Sequence, residues 1–142
     1  MTARTSSARW EGDLKGGNGQ MALGSGAFEG PFTFVSRFED GPGTNPEELL
    51  AAAHAGCFSM SVANLLGQDG TPATSVDTEA TIHLERVDGK PTITRVVLST
   101  VGVVPGIDEA TFTAKAEAAK DACPVSKLFA GAQIELEVTF RN

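Results

Sequence analysis

Hydrophobic and polar positions alternate most cleanly between residues 76 and 85. Val76, Thr78, Ala80, Ile82 and Leu84 share one face, and Asp77, Glu79, Thr81, His83 and Glu85 share the other. That period of two predicts a half-buried strand. Asp88-Gly89 follows, the preferred pair for a type I′ hairpin turn, so residues 92–104 are the predicted return strand. Its Val96-Val97-Leu98 stretch is apolar on both faces. This predicts a central strand, or one covered by a helix on one side and a partner chain on the other. A last strand, 133–140, alternates again, with Ile134, Leu136, Val138 and Phe140 on one face.

The pattern changes period upstream. Residues 12–31 are dense in glycine, which predicts short strands joined by tight turns, at 8–15, 20–23 and 32–38. Gly41-Pro42-Gly43 breaks the chain. A helix is predicted over 47–66, with Thr44 or Asn45 as cap, Pro46 in the first turn and Glu47 or Glu48 able to complete a capping box. It is rich in Ala, Leu and Met, is weakened only by Gly56 and stops at Gly67. Apolar on most sides, it reads as a buried central helix. A second helix is predicted over 109–121 with Asp108 as cap, and a short third one from Pro124 to before Gly131. The fold class is α+β, a mostly antiparallel sheet with one long buried central helix and a second, shorter one.

Composition narrows the function. The chain has 142 residues, with 41% hydrophobic and 20% charged, which predicts a single globular domain over 1–142. Eleven basic against 18 acidic side chains leave a charge of −7. With no basic run, this argues against nucleic-acid binding and against docking on an anionic membrane. No stretch reads as the roughly 18 apolar residues of a membrane helix. Residues 1–10 lack the apolar core of a secretory leader. The expectation is a cytoplasmic protein, in which two cysteines cannot be assumed to form a standing disulfide.

Phosphate-binding loops, zinc-protease motifs, calcium loops and nucleophile elbows are absent from the sequence. His83 lies on a polar strand face and reads as a surface residue. His54 precedes Cys57 by three residues. The pair could be a nucleophile with its base or half a metal site, while a locally packed histidine is the plainer reading. Two Cys and two His are too thin a set for zinc, and no metal or cofactor is expected. Cys123 directly precedes Pro124, at a helix N-cap where N–H groups and the dipole lower a thiol pKa. Cys57, mid-helix in apolar surroundings, has no such help. Electrostatics alone therefore nominate Cys123 as the reactive thiol. Arg37 is a candidate cation, and Glu47 or Glu48 could hold it bidentately. Each of these also has an ordinary structural explanation: buried cysteines, a surface arginine, helix N-terminal carboxylates.

Taken in order, Trp10-Glu11-Gly12-Asp13-Leu14-Lys15, the block from Gly43 to Leu49, Ala52-Ala53-His54-Ala55, Cys57-Phe58-Ser59-Met60, Val104-Pro105-Gly106-Ile107-Asp108 and Cys123-Pro124-Val125-Ser126 resemble the family of osmotically inducible protein C (OsmC) and the organic hydroperoxide resistance proteins (Ohr). The Trp-Glu-Gly-Asp start is closer to the OsmC branch. The resemblance implies an intertwined homodimer and a thiol peroxidase acting on organic hydroperoxides. By position, Cys57 resembles the peroxidatic cysteine and Cys123 the resolving one. Arg37 and Glu47 match the activating arginine and the carboxylate that orients it. Phe58, Met60, Leu65 and Phe129 are candidate apolar pocket walls. The implied cycle runs through a sulfenic acid and an intramolecular disulfide, re-reduced by an external dithiol, of lipoyl type in the family. The resemblance reverses the electrostatic ranking of the two cysteines. Competing readings are a thiol redox sensor using the same cysteines, and a non-catalytic binding module for an apolar small molecule.

Overall fold

The computed structural model describes residues 2–142; Met1, part of the segment examined for a leader, lies outside them. The chain divides into two compact units, Met1–Leu49 and Leu50–Asn142.

The first unit holds three antiparallel strands in the order β1-β2-β3, namely β1 (Ser6–Glu11), β2 (Asn18–Leu23) and β3 (Glu29–Phe32). The strand predicted over 32–38 is not there. Strand β3 ends at Phe32, and Phe34–Phe38 form a one-turn helix, α1. The reason is local. Thr33 caps α1 by accepting a hydrogen bond from the Ser36 N–H at 3.1 Å, and Ser36 Oγ accepts one from the Thr33 N–H at 2.8 Å. This reciprocal box satisfies two amides that a continued strand would have had to pair elsewhere. Gly43 turns the chain at φ +107, where a Cβ would sit 2.8 Å from the Pro31 carbonyl oxygen. Only glycine fits that approach. Asn45 then caps the long helix α2 (Pro46–Gln68) by accepting from the Glu48 N–H at 2.8 Å, while its amide donates to the Ser36 carbonyl at 3.0 Å.

The second unit is built on a sheet ordered β4-β5-β6, from β4 (Ser75–Val87), β5 (Lys90–Val103) and β6 (Gln133–Arg141). The β4–β5 hairpin turns at Asp88 (φ 51) and Gly89 (φ 77), both positive as type I′ requires. Strand β5 is central, as its apolar run predicts. Its residues alternate in burial, with Val96, Leu98, Thr100 and Gly102 buried. Strand β6 pairs with β5 in parallel, the one departure from an antiparallel frame. The connection between them carries α3 (Glu109–Ala122) and α4 (Pro124–Leu128). Asp108 caps α3 by accepting from the Thr111 N–H at 2.8 Å. Val96, Leu98 and Val104, Phe112 and Ala116 of α3, and Phe58, Val62 and Leu66 of α2 form one core.

Helix α2 differs from expectation in two respects. It is long and apolar enough, by length and composition, to cross a membrane: an 18-residue stretch has a mean hydropathy of 1.5. Ala, Gly and Ser had disguised this, because they interrupt the large apolar residues without adding charge. It is also far from buried all round. Only the stripe His54, Phe58, Val62, Leu66 is enclosed, at the i, i+4 spacing of one helix face. Met60, on another face, is 76% exposed.

Candidate active site

Cys123 is placed by its own neighbour. A residue before proline is disfavoured in the helical region, and Cys123 takes φ −58, ψ 125. It thereby ends α3 and serves as the N-cap residue of α4, as the Cys-Pro pair predicts. Cys57 lies mid-way along α2. The two sulfurs, from residues 66 apart in sequence, are 2.9 Å from each other. Both are free thiols. A disulfide needs about 2.05 Å, so closing the bond takes a movement of less than an ångström.

The two thiols differ in access and in acidity. Cys57 is half-buried and Cys123 is fully buried. Burial pushes the Cys57 thiol up, and the Cys123 sulfur beside it adds to the rise. The Val125 N–H and the Ser61 hydroxyl oppose this without cancelling it. Burial also acts to raise Cys123, but there it is outweighed. The Cys57 thiol, the Ser126 N–H and hydroxyl, and the Val125 N–H all favour the thiolate, so Cys123 is shifted down. The amides at the start of α4 do this without reaching the geometry of a full side-chain cap. Either sulfur could donate at 2.9 Å. These surroundings favour the thiolate at Cys123 over the thiolate at Cys57. The electrostatic ranking read from the sequence is therefore the one the fold produces.

His54 is fully enclosed, one turn before Cys57 on α2. It does not bond Cys57. Its Nε2 lies 2.8 Å from Ser126 Oγ, and its ring packs on Phe129 with centroids 5.2 Å apart. Burial lowers its pKa, so it is neutral. Its Nδ1 has no partner among the described residues. Among the described residues no three His, Cys, Asp or Glu side chains gather into a metal site.

In the first unit, Arg37 ends α1 rather than a strand. Its guanidinium grips the Glu47 carboxylate, with Nη2 to Oε1 at 2.7 Å and Nε to Oε2 at 3.2 Å. Glu47, in the first turn of α2, is the partner; Glu48 instead accepts the Thr44 hydroxyl at 2.7 Å. The Arg37 guanidinium carbon also lies 5.1 Å from the centre of the Phe38 ring. Trp10, Leu14, Phe32, Thr33, Phe34 and Phe38 surround it and enclose a cavity of about 200 Å³. Of these wall residues only Trp10 and Leu14 were named from the sequence, as part of the family block and not as pocket walls. The Thr33-x-x-Ser36 box was the available signal, since it turns the segment into a helix that carries Arg37 and Phe38.

The sequence-predicted pocket walls are spread differently. Phe58 is wholly inside the core of the second unit and Phe129 nearly so, Leu65 is half-buried, and Met60 faces outward. His83, expected at the surface, has Nε2 3.0 Å from an Arg95 guanidinium nitrogen.

A half-exposed thiol backed by a buried, more acidic one is the candidate site, on an α+β frame. The family model described as OsmC-like protein matches residues 39–139, and the chain belongs to that family. It is 44% identical over 136 residues to Peroxiredoxin OsmC of Escherichia coli, covering 95% of this chain and 94% of that one. The Peroxiredoxin OsmC of Shigella flexneri matches equally. Among solved structures, an organic hydroperoxide resistance protein OsmC from Legionella pneumophila superposes with a TM-score of 0.72 at 19% identity over the whole of both chains. An OsmC-like protein from Vibrio cholerae gives 0.77 at 15%, covering 97% and 99%. At such identities these two show the shared fold.

Proposed function

We propose that this chain reduces organic hydroperoxides to alcohols, with Cys57 as the sulfur that meets the peroxide and Cys123 as the one that resolves it. The coarser statement rests on kinship: the chain is a peroxidase, related over nearly its full length to proteins named peroxiredoxins. The finer one is carried by a single observation, a half-exposed thiol 2.9 Å from a fully buried one. A peroxide must touch the sulfur it oxidises, and Cys57 is the sulfur with surface. Cys123, 2.9 Å behind it, is the thiol within reach of an oxidised Cys57, which supports its role as the resolving sulfur.

Cys57 ionises reluctantly, so the first step needs a cation. Arg37, held by Glu47 through a forked ion pair, is the cation that the resemblance assigns to it. The Cys57 thiolate attacks one oxygen of the hydroperoxide. The O–O bond breaks, and the alkoxide takes a proton and leaves as the alcohol. Cys57 becomes a sulfenic acid, which Cys123 converts to a disulfide with loss of water. An external dithiol, of lipoyl type by the resemblance, restores both thiols by exchange. Phe58, Met60 and Phe129 remain candidate walls for the alkyl group, with Met60 the one that presents surface. The working form is proposed as a cytoplasmic, intertwined homodimer of one OsmC-like domain per chain.

Thiol titration of the reduced protein, before and after one equivalent of cumene hydroperoxide per chain, tests this. Wild type should lose both thiols, Cys57→Ser should lose none, and Cys123→Ser should stop at a sulfenate. If Cys123→Ser is the inert variant, the two roles are exchanged; two surviving thiols in wild type would overturn the peroxidase.

A further inference from the structure

A buried imidazole with one unpaired nitrogen is an expensive way to fill space. Leu or Met would pack at that position of α2 without leaving a polar atom unsatisfied. His54 has no exposed surface, yet among the described residues only its Nε2 has a partner, Ser126 Oγ at 2.8 Å. The orphan settles the tautomer. A proton on Nδ1 would bury an unpaired donor, which proteins avoid more strictly than an unpaired acceptor. The proton therefore sits on Nε2 and is donated to Ser126 Oγ. With its oxygen occupied as acceptor, the serine hydroxyl has its own proton to give. Ser126 is three residues beyond Cys123, on the first turn of α4, where its hydroxyl and its N–H favour the Cys123 thiolate.

We propose that His54 and Ser126 are positioning residues for the resolving step: the imidazole fixes the Ser126 hydroxyl, and that hydroxyl holds the Cys123 sulfur ready to attack the oxidised Cys57. This rests on the peroxidase reading above and deepens it. The need for such a pair comes from the cycle itself. In the reduced protein the two sulfurs lie 2.9 Å apart, and the Cys57 thiol favours a thiolate at Cys123. Once Cys57 is a sulfenic acid, that thiol is gone, at the moment Cys123 must be a thiolate. The Ser126 hydroxyl is the side-chain donor that survives the oxidation. The Cys123 thiolate then attacks the Cys57 sulfur; the S–S bond forms, the S–O bond breaks, and the departing hydroxide takes up a proton. The sum is sulfenic acid plus thiol giving disulfide plus water, with no outside oxidant.

The experiment follows both steps separately in the full-length reduced protein after one equivalent of cumene hydroperoxide. Loss of the first thiol reports oxidation of Cys57. Dimedone trapping and non-reducing mass analysis report the sulfenate and its closure to the disulfide. Ser126→Ala and His54→Phe should oxidise Cys57 at the wild-type rate and close the disulfide about tenfold or more slowly, the size of one hydrogen bond lost from a charged group. A Cys57 dimedone adduct should accumulate in both. Ser126→Thr, which keeps the hydroxyl, should close close to the wild-type rate. Closure at the wild-type rate in Ser126→Ala and His54→Phe would overturn the relay while leaving the peroxidase standing. Equal slowing of both steps would mark a merely structural role and would also overturn it. If wild type itself consumed no thiol, the peroxidase reading would fall first and the relay with it.

Discussion

At the scale of single residues, Arg37 separates charge from shape. Its guanidinium meets Glu47 through two nitrogens. A lysine would keep the charge but not the fork. Arg37→Lys should lower kcat/KM for cumene hydroperoxide by roughly a hundredfold, the scale of one lost transition-state donor. A coupled assay with an external dithiol measures it, and a variant within twofold of wild type would remove Arg37 from the proposed chemistry. His54 makes the opposite point. Its spacing from Cys57 left open a nucleophile with its base, half a metal site, or a packed histidine as the plainer reading. The ring turned instead to Ser126, 72 residues away in sequence, which no local pattern encodes.

Among the elements, strand β5 and helix α3 meet at Gly102. A Cβ built there would collide with the Phe112 ring, which covers the glycine directly. Phe112 is fully enclosed and cannot withdraw without opening the core. Gly102→Ala should therefore cost about 1–3 kcal/mol, the usual range for overpacking. Urea unfolding reads this as a lowered midpoint at unchanged slope; a midpoint at or above that of wild type would mean the ring gives way freely. The elements themselves were unevenly legible. The β4–β5 hairpin could be read from alternation and Asp88-Gly89, and the end of α3 from Cys123-Pro124. Helix α1 escaped because five residues make barely one turn, and Phe34-Val35 with Phe38 looks as much like a strand as a helix.

For the molecule as a whole, the open question on α2 is what meets its outward faces. A helix with an 18-residue stretch only 22% buried and Met60 standing 76% exposed leaves apolar surface that a soluble chain ordinarily covers. The proposed homodimer accounts for it. Sedimentation equilibrium should give twice the 14.7 kDa chain mass, and Met60→Glu should shift the distribution toward the single chain. A wild-type protein that sediments as a monomer at micromolar concentration would remove the dimer.

What the sequence determined by itself was whatever depends on neighbours a few residues apart. Alternation of period two, Pro and Gly breaks and capping side chains act within one turn or one hairpin, so strands β4, β5 and β6 and helices α2 and α3 were visible before any fold. The direction of the Cys123 shift was visible too, since the start of its own short helix contributes to it. The larger contribution comes from the Cys57 thiol, which only the fold brings there. Only the tertiary structure decided what depends on distant segments meeting. It brought Cys57 to Cys123, put Ser126 rather than Cys57 on His54, and chose which stripe of α2 would be enclosed. Those outcomes follow from packing α2, α3 and α4 against a three-stranded sheet. Contacts made that way are fixed by the shape of the whole core, which no stretch of the chain carries alone.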